Sequence, residues 1–144
     1  MKLPVPRPGL VIRYSYLWKR EAAAGREEGA KDRPCAVVLV VFDRHGRKVV
    51  RVLPITRSPP LDPADEIEIP RATATRLRLD SDQSWIMVSE ANDFVWPGPD
   101  LRATGGGEGG VAHGFLPPRL FKLLRERLLE RYRARRLAAV SRTE

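Results

Sequence analysis

The sequence predicts a mainly β chain closed by one C-terminal α-helix, folded as a small, strongly bent antiparallel sheet or partly open barrel. Three observations carry that expectation. Short runs rich in β-branched and aromatic residues recur through the first 95 positions, separated by proline, glycine and aspartate turns. Two of them, "PCAVVLVVF" (34–42) and "KVVRVLPIT" (48–56), are joined by Asp43-Arg44-His45-Gly46, a turn signal that makes them a hairpin. Only after Pro117-Pro118 does the apolar spacing change to that of a helix, with Leu120, Phe121, Leu124 and Leu128 on one stripe.

Each element follows in order. "GLVIRYSYLW" (9–18) reads as the first strand, and "KREAAAGREEGAKDR" (19–33) as a mobile loop with one helical turn, because Gly25 and Gly29 interrupt its helix formers. The run 34–42 is continuously apolar, the pattern of a strand buried on both faces. "DEIEIP" (65–70) alternates charged and apolar residues as a half-buried strand does. "RATATRLRL" (71–79) has the composition of a short helical turn. "SWIMVSEANDFV" (84–95) is a further strand, bent or bulged near Ala91-Asn92 and stopped by "WPGPD" (96–100). Residues 103–114, "ATGGGEGGVAHG", form a flexible glycine-rich connection before a helix at about 117–138. No repeat and no βαβ alternation appears, so residues 1–144 are read as a single domain.

Composition narrows the function classes. The 144 residues are 42% hydrophobic and 31% charged, as in a globular chain, and no apolar run approaches the ~20 residues needed to cross a bilayer. The proline-broken start "MKLPVPRPGL" lacks the apolar core of a signal peptide, so a cytoplasmic location without membrane attachment is expected. One cysteine, Cys35, forms no internal disulfide; its place in an apolar run reads as a buried small residue. The net charge is +8, and residues 119–136 hold eight Lys/Arg against Glu126 and Glu130. That basic helix fits a polyanionic partner and equally a plain solvated face.

Several chemistries are missing. "GGGEGG" has no following Gly-Lys-Ser/Thr, so it is a linker and not a phosphate-binding loop. His45 in a turn and His113 beside a linker glycine read as exposed loop residues, and no His/Cys cluster has metal-ligand spacing. No cofactor or metal is expected. What remains is the hairpin. Arg33 stands where the loop enters the first strand of the pair, and Thr56 ends the second. Runs of equal length bring both to one end of the sheet. A fork of N–H donors beside a hydroxyl suits a phosphodiester. The competing reading pairs Arg33 with a loop carboxylate and lets Thr56 merely begin a turn. Trp85 reads as core, and Trp96 as core or as a stacking surface for a base or partner.

The ordered series Gly9-Leu10-Val11-Ile12, "GREE" (25–28), "RPCAVVLVV" (33–41), "VLPITRS" (52–58) and "SWIMVSEAN" (84–92) resembles the PemK/MazF toxins of bacterial type II toxin–antitoxin systems. The match covers residues 9 to about 95, and the closing helix agrees with it. The resemblance implies an SH3-like small barrel that dimerises and cuts single-stranded RNA without a metal, leaving a 2′,3′-cyclic phosphate and a 5′-hydroxyl. By the same carry-over, Arg33 matches the catalytic arginine and Thr56 the hydroxyl that holds the scissile phosphate. Glu27 matches the loop glutamate, as general base or as a partner orienting Arg33. Arg26, Arg57, Ser58 and Glu90 are the further positions for RNA contact. A cognate acidic antitoxin is the implied inhibitor.

The departures are specific. Arg26 stands where some members have a loop histidine, and Met87 and Ser89 stand where better-known members carry an arginine and an aspartate. Two other classes therefore remain as alternatives. One is a catalytically weakened barrel that binds RNA or antitoxin without cutting. The other is a protein-interaction module whose basic helix docks on acidic partners.

Overall fold

The computed structural model describes residues 3–27, 29, 31–105 and 110–142. Among them, eight strands and three α-helices follow one another as β1 (Leu10–Tyr14), α1 (Lys19–Ala23), β2 (Arg33–Phe42), β3 (Lys48–Thr56), β4 (Glu66–Ile69), α2 (Arg71–Arg76), β5 (Ser84–Met87), β6 (Glu90–Val95), β7 (Ala112–Phe115), α3 (Pro118–Arg133) and β8 (Ala138–Ser141). A single 3-10 turn, Pro63–Asp65, precedes β4. The strands form a curled antiparallel half-barrel in the order β4-β5-β3-β2-β1-β7. β6 adds to β3 beyond β5, and β8 runs parallel to β6. The mainly β architecture with a closing helix is the one expected from the sequence.

Period-two alternation sends apolar side chains to both faces of this sheet. Val11, Ala36, Leu53, Ile55, Ile67 and Ile86 pack with Leu120, Leu124 and Leu128 of α3 in one cluster. Ile12, Tyr14, Cys35, Val37, Val50, Val52 and Phe94 pack in the other, where Tyr14 stacks on Phe94 at 4.5 Å. Gly9, which opens β1, has φ +95° and donates its N–H to the Val37 carbonyl, a conformation side chains rarely adopt. Trp85 is buried, and Trp96 is half-buried beside Phe94.

The hairpin is built as its turn residues dictate. Asp43 Oδ1 accepts the His45 and Arg47 N–H groups at 2.9 Å each, and Gly46 takes φ +77°. β2 has one residue more than β3, and the pairing shifts between Val37 and Leu39 to absorb it. Beyond that bulge the strand leaves the core. Leu39, Val41 and Phe42 are exposed, so the expectation of burial on both faces holds only from Pro34 to Val37.

Four other expectations change. The run 84–95 is two strands, because Val88 N–H turns to the Asp65 carbonyl and the Ser89 carbonyl accepts Ala138 N–H; the break comes before Ala91-Asn92. Residues 112–115 of the glycine-rich segment form β7, while 106–109 lie outside the described residues. His113, on that strand, is half-buried rather than an exposed loop residue. Helix α3 ends at Arg133, short of 138. Arg135 takes φ +55° and Arg136 N–H bonds back to the Arg131 carbonyl, a helix stop made here without glycine. The chain then enters β8. No helix of the described residues is long and apolar enough to cross a membrane.

Candidate functional site

The β2–β3 register places Cys35 opposite Pro54, and continuing it two residues sets Arg33 opposite Thr56. Two clefts, of 280 and 410 Å³, meet at this end of the sheet and share Lys31, Arg33, Thr56 and Arg57 as their common wall. The Arg33 guanidinium lies over Trp18, 4.7 Å from the ring centroid. Its Nε is enclosed without a hydrogen-bond partner, and no carboxylate among the described residues pairs with it. Burial lowers its pKa below the ordinary arginine value, but guanidinium stays charged near neutral pH. A half-buried cation with an unmet donor, set in the wall of two clefts, is built to receive an anion.

Thr56 Oγ1 accepts the Ser58 N–H at 3.1 Å, so Thr56 starts a turn and lines both clefts as well. Ser58, Met87 and Ser89 line the larger cleft. Three other sequence-derived positions stand elsewhere. The Glu27 side chain is exposed and lines neither cleft, while its backbone carbonyl accepts Arg142 Nη2 at 3.1 Å. Arg26 pairs with Glu21 at 3.2 Å. Glu90 Oε1 accepts both the Tyr16 O–H and the Lys19 N–H at 3.0 Å, which fixes the start of α1 to β6. The structure thus brings together Arg33, Thr56, Arg57 and Ser58, and leaves Arg26, Glu27 and Glu90 outside both clefts.

Other residues enter the site that sequence reasoning passed over. Arg13, on the face of β1 opposite Ile12, donates to Asp32 and Asp80 at 2.7 Å each in the smaller cleft. The Arg13 hydrogen bond holds the Asp32 carboxyl below the usual carboxylate range. Arg20 and Lys31 join Arg33 and Arg57 on the basic side of the larger cleft, and Asp62, Asp65 and Glu66 form its acidic side. Glu66 Oε1 is enclosed without a hydrogen-bond donor, and desolvation, helped by the Asp65 charge, raises its pKa. The only sequence signal for Glu66 was its phase in "DEIEIP", which puts it opposite the buried Ile67 and Ile69.

Two further groups are inert by position. Burial pushes the Cys35 thiol up, so no thiolate forms near neutral pH. His113 Nδ1 lies 2.9 Å from the Leu77 carbonyl and therefore carries the proton, while burial holds the ring neutral. Among the described residues no three His, Cys, Asp or Glu side chains are grouped to hold a metal ion. No protein-family model and no curated protein matches the chain.

Proposed function

We propose that this protein is an endoribonuclease that cleaves single-stranded RNA without a metal, as the toxin of a type II toxin–antitoxin pair. The observation that carries the reading is that Arg33, whose Nε has no hydrogen-bond partner among the described residues, and Thr56 together line the junction of two clefts. In this reading the scissile phosphate sits at that junction. Arg33 donates to its non-bridging oxygens and Thr56 adds a hydroxyl contact, while Arg57 and Lys31 supply further positive charge. The attacking nucleophile is the adjacent 2′-hydroxyl, and the products are a 2′,3′-cyclic phosphate and a 5′-hydroxyl. The pentavalent state carries more negative charge than the phosphodiester, so fixed cationic donors stabilise it preferentially.

The same basic wall is where an acidic antitoxin segment would compete with RNA. Cytoplasmic action and a homodimer belong to the same reading. The exposed Leu39, Val41 and Phe42 on β2 are apolar surface available for a second copy. A reading as a barrel that binds RNA or antitoxin without cutting draws its support from Glu27, whose carboxylate lies outside both clefts.

Incubation of a long single-stranded RNA with the purified protein in EDTA, beside Arg33→Ala, tests the proposal. Cuts ending in 2′,3′-cyclic phosphate and 5′-hydroxyl, lost in the variant, are the expected result. Intact RNA in the presence of folded, antitoxin-free protein overturns it and leaves the binding reading.

A further inference from the structure

Transfer of a proton is the one requirement of RNA cleavage that Arg33 and Thr56 do not meet, because guanidinium is too weak an acid and a threonine hydroxyl too weak a base near neutral pH. Five carboxylates among the described residues line the two clefts. Four are already committed. Asp32 and Asp80 each hold Arg13 at 2.7 Å. Asp65 pairs with Arg131 of α3 at 2.9 Å. Asp62 accepts the Ala64 N–H at 3.0 Å and caps the 3-10 turn. The fifth, Glu66, has no cationic partner and one oxygen enclosed without a donor.

The sheet places Glu66 on the same face as Thr56, in the cleft that Arg33 also lines. Thr56 lies opposite Trp85, and Trp85 opposite Glu68; Glu66 is two residues along from Glu68 and opposite Met87. Ile55, Ile67 and Ile86 turn into the core, so Thr56, Glu66 and Met87 share the other face. Two strand spacings and two residues separate the Thr56 and Glu66 backbones by about 12 Å. A ribonucleotide fills such a gap once the side chains on either side are extended into it.

We infer that Glu66 is the proton acceptor of this cleft, the group that takes the 2′-hydroxyl proton of a ribonucleotide whose phosphate is held by Arg33 and Thr56. The inference rests on the endoribonuclease reading. The Glu66 carboxylate removes the proton, and a lone pair of the 2′-oxygen forms the new bond to phosphorus. The bond from phosphorus to the 5′-oxygen breaks, and its electron pair stays on that oxygen. Solvent water protonates the departing 5′-oxygen, and the hydroxide formed takes the proton from Glu66 and restores the carboxylate.

The surroundings set the sign of the pH dependence. Asp65 opposes ionisation of Glu66, and Arg131 tempers that by pairing with Asp65. Desolvation acts in the same direction as Asp65 and outweighs it. Arg33 and Arg57 line the same cleft but do not contribute to the shift. The net effect is a raised pKa, and the reaction needs the ionised form. Activity therefore rises as pH rises through that value and is lost below it.

The test measures kcat/KM on a single-stranded RNA oligonucleotide in EDTA from about pH 4.5 to 8.5, for the wild type and Glu66→Gln. Binding is followed with the 2′-O-methyl form of the same oligonucleotide, which cannot react. The wild type is expected to show an ascending limb above the ordinary carboxylate range. Glu66→Gln is expected to lose that limb and roughly 100-fold or more in rate, with its affinity for the 2′-O-methyl RNA unchanged. A variant that keeps both rate and limb overturns the assignment, as does one whose affinity falls in step with its rate. In either case cleavage that still depends on Arg33 leaves the endoribonuclease reading standing. Failure of the wild type to cut any RNA removes both together.

Discussion

Arg142 is the most heavily bonded side chain of the described structure, and replacing it with alanine is expected to cost more than any surface change. Its guanidinium is 2% exposed and faces Asp100, itself 11% exposed, at 3.1 Å. Nη1 donates to the Ser15 carbonyl at 2.7 Å and shares weaker contacts with Asn92 Oδ1 at 3.1 Å and the Tyr14 hydroxyl at 3.3 Å. Nη2 reaches the Glu27 carbonyl at 3.1 Å. Arg142→Ala removes the donor side of every one of these and leaves the Asp100 charge buried without its partner. Breaking a buried pair from one side costs about 3–5 kcal/mol. A chain of this length unfolds with an entropy of about 0.3 kcal/mol/K, so Tm is expected to fall by about 10–16 °C. Thermal denaturation by circular dichroism, with urea titration alongside, measures the loss. Adding Asp100→Asn should recover part of it, because the stranded charge is then gone. A loss under about 1 kcal/mol, or a double variant no more stable than Arg142→Ala, refutes the account of Arg142 as the buried charge that fastens β8 and the loop after α1.

Three other outcomes follow from packing and charge. Leu124→Ala, at a fully buried position where α3 meets the sheet, is expected to destabilise by about 2–5 kcal/mol in urea titration. Gly29→Ala places a methyl group inside the Tyr16 carbonyl; about 1–3 kcal/mol of destabilisation, with faster hydrogen exchange in the segment leading to Arg33, is the measurable result. Glu66 has a folded-state pKa above its unfolded value, so its ionised form opposes folding once pH exceeds the unfolded pKa. Glu66→Gln is therefore expected to raise Tm at pH 8 and to change it little in acid, which a pair of melts at the two ends of the range decides.

Much of the fold was legible because it is written in local periodicity. Strand β3 runs over the residues its β-branched pattern marks, Lys48–Thr56, and the hairpin turn is specified by Asp43 and Gly46 within five residues. The stripe of α3 is read correctly because helical spacing alone decides which residues face the core. Strand β8 had no such signal. "AAVS" is short and only partly buried, and its parallel pairing with Glu90–Asp93 joins segments some 48 residues apart. The exposure of Leu39, Val41 and Phe42 was equally hidden, since an apolar run looks the same whether its strand stays in the core or leaves it after a bulge.

For the site, the sequence by itself determined that Arg33 and Thr56 stand at one end of the same hairpin. Strand length and turn geometry bring them to that end, and both are local properties, while the bulge between Val37 and Leu39 sets Arg33 directly opposite Thr56. Only the tertiary structure decided which carboxylates reach the clefts. Glu27 is close to Arg33 in the chain, yet its carboxylate faces solvent and its carbonyl is held by Arg142. Glu66 lies 33 residues away and is carried into the larger cleft by the pairing of β4 with β5 and of β5 with β3. A carboxylate's proximity to a cation, and the desolvation that raises its pKa, come from through-space packing, which sequence separation does not encode.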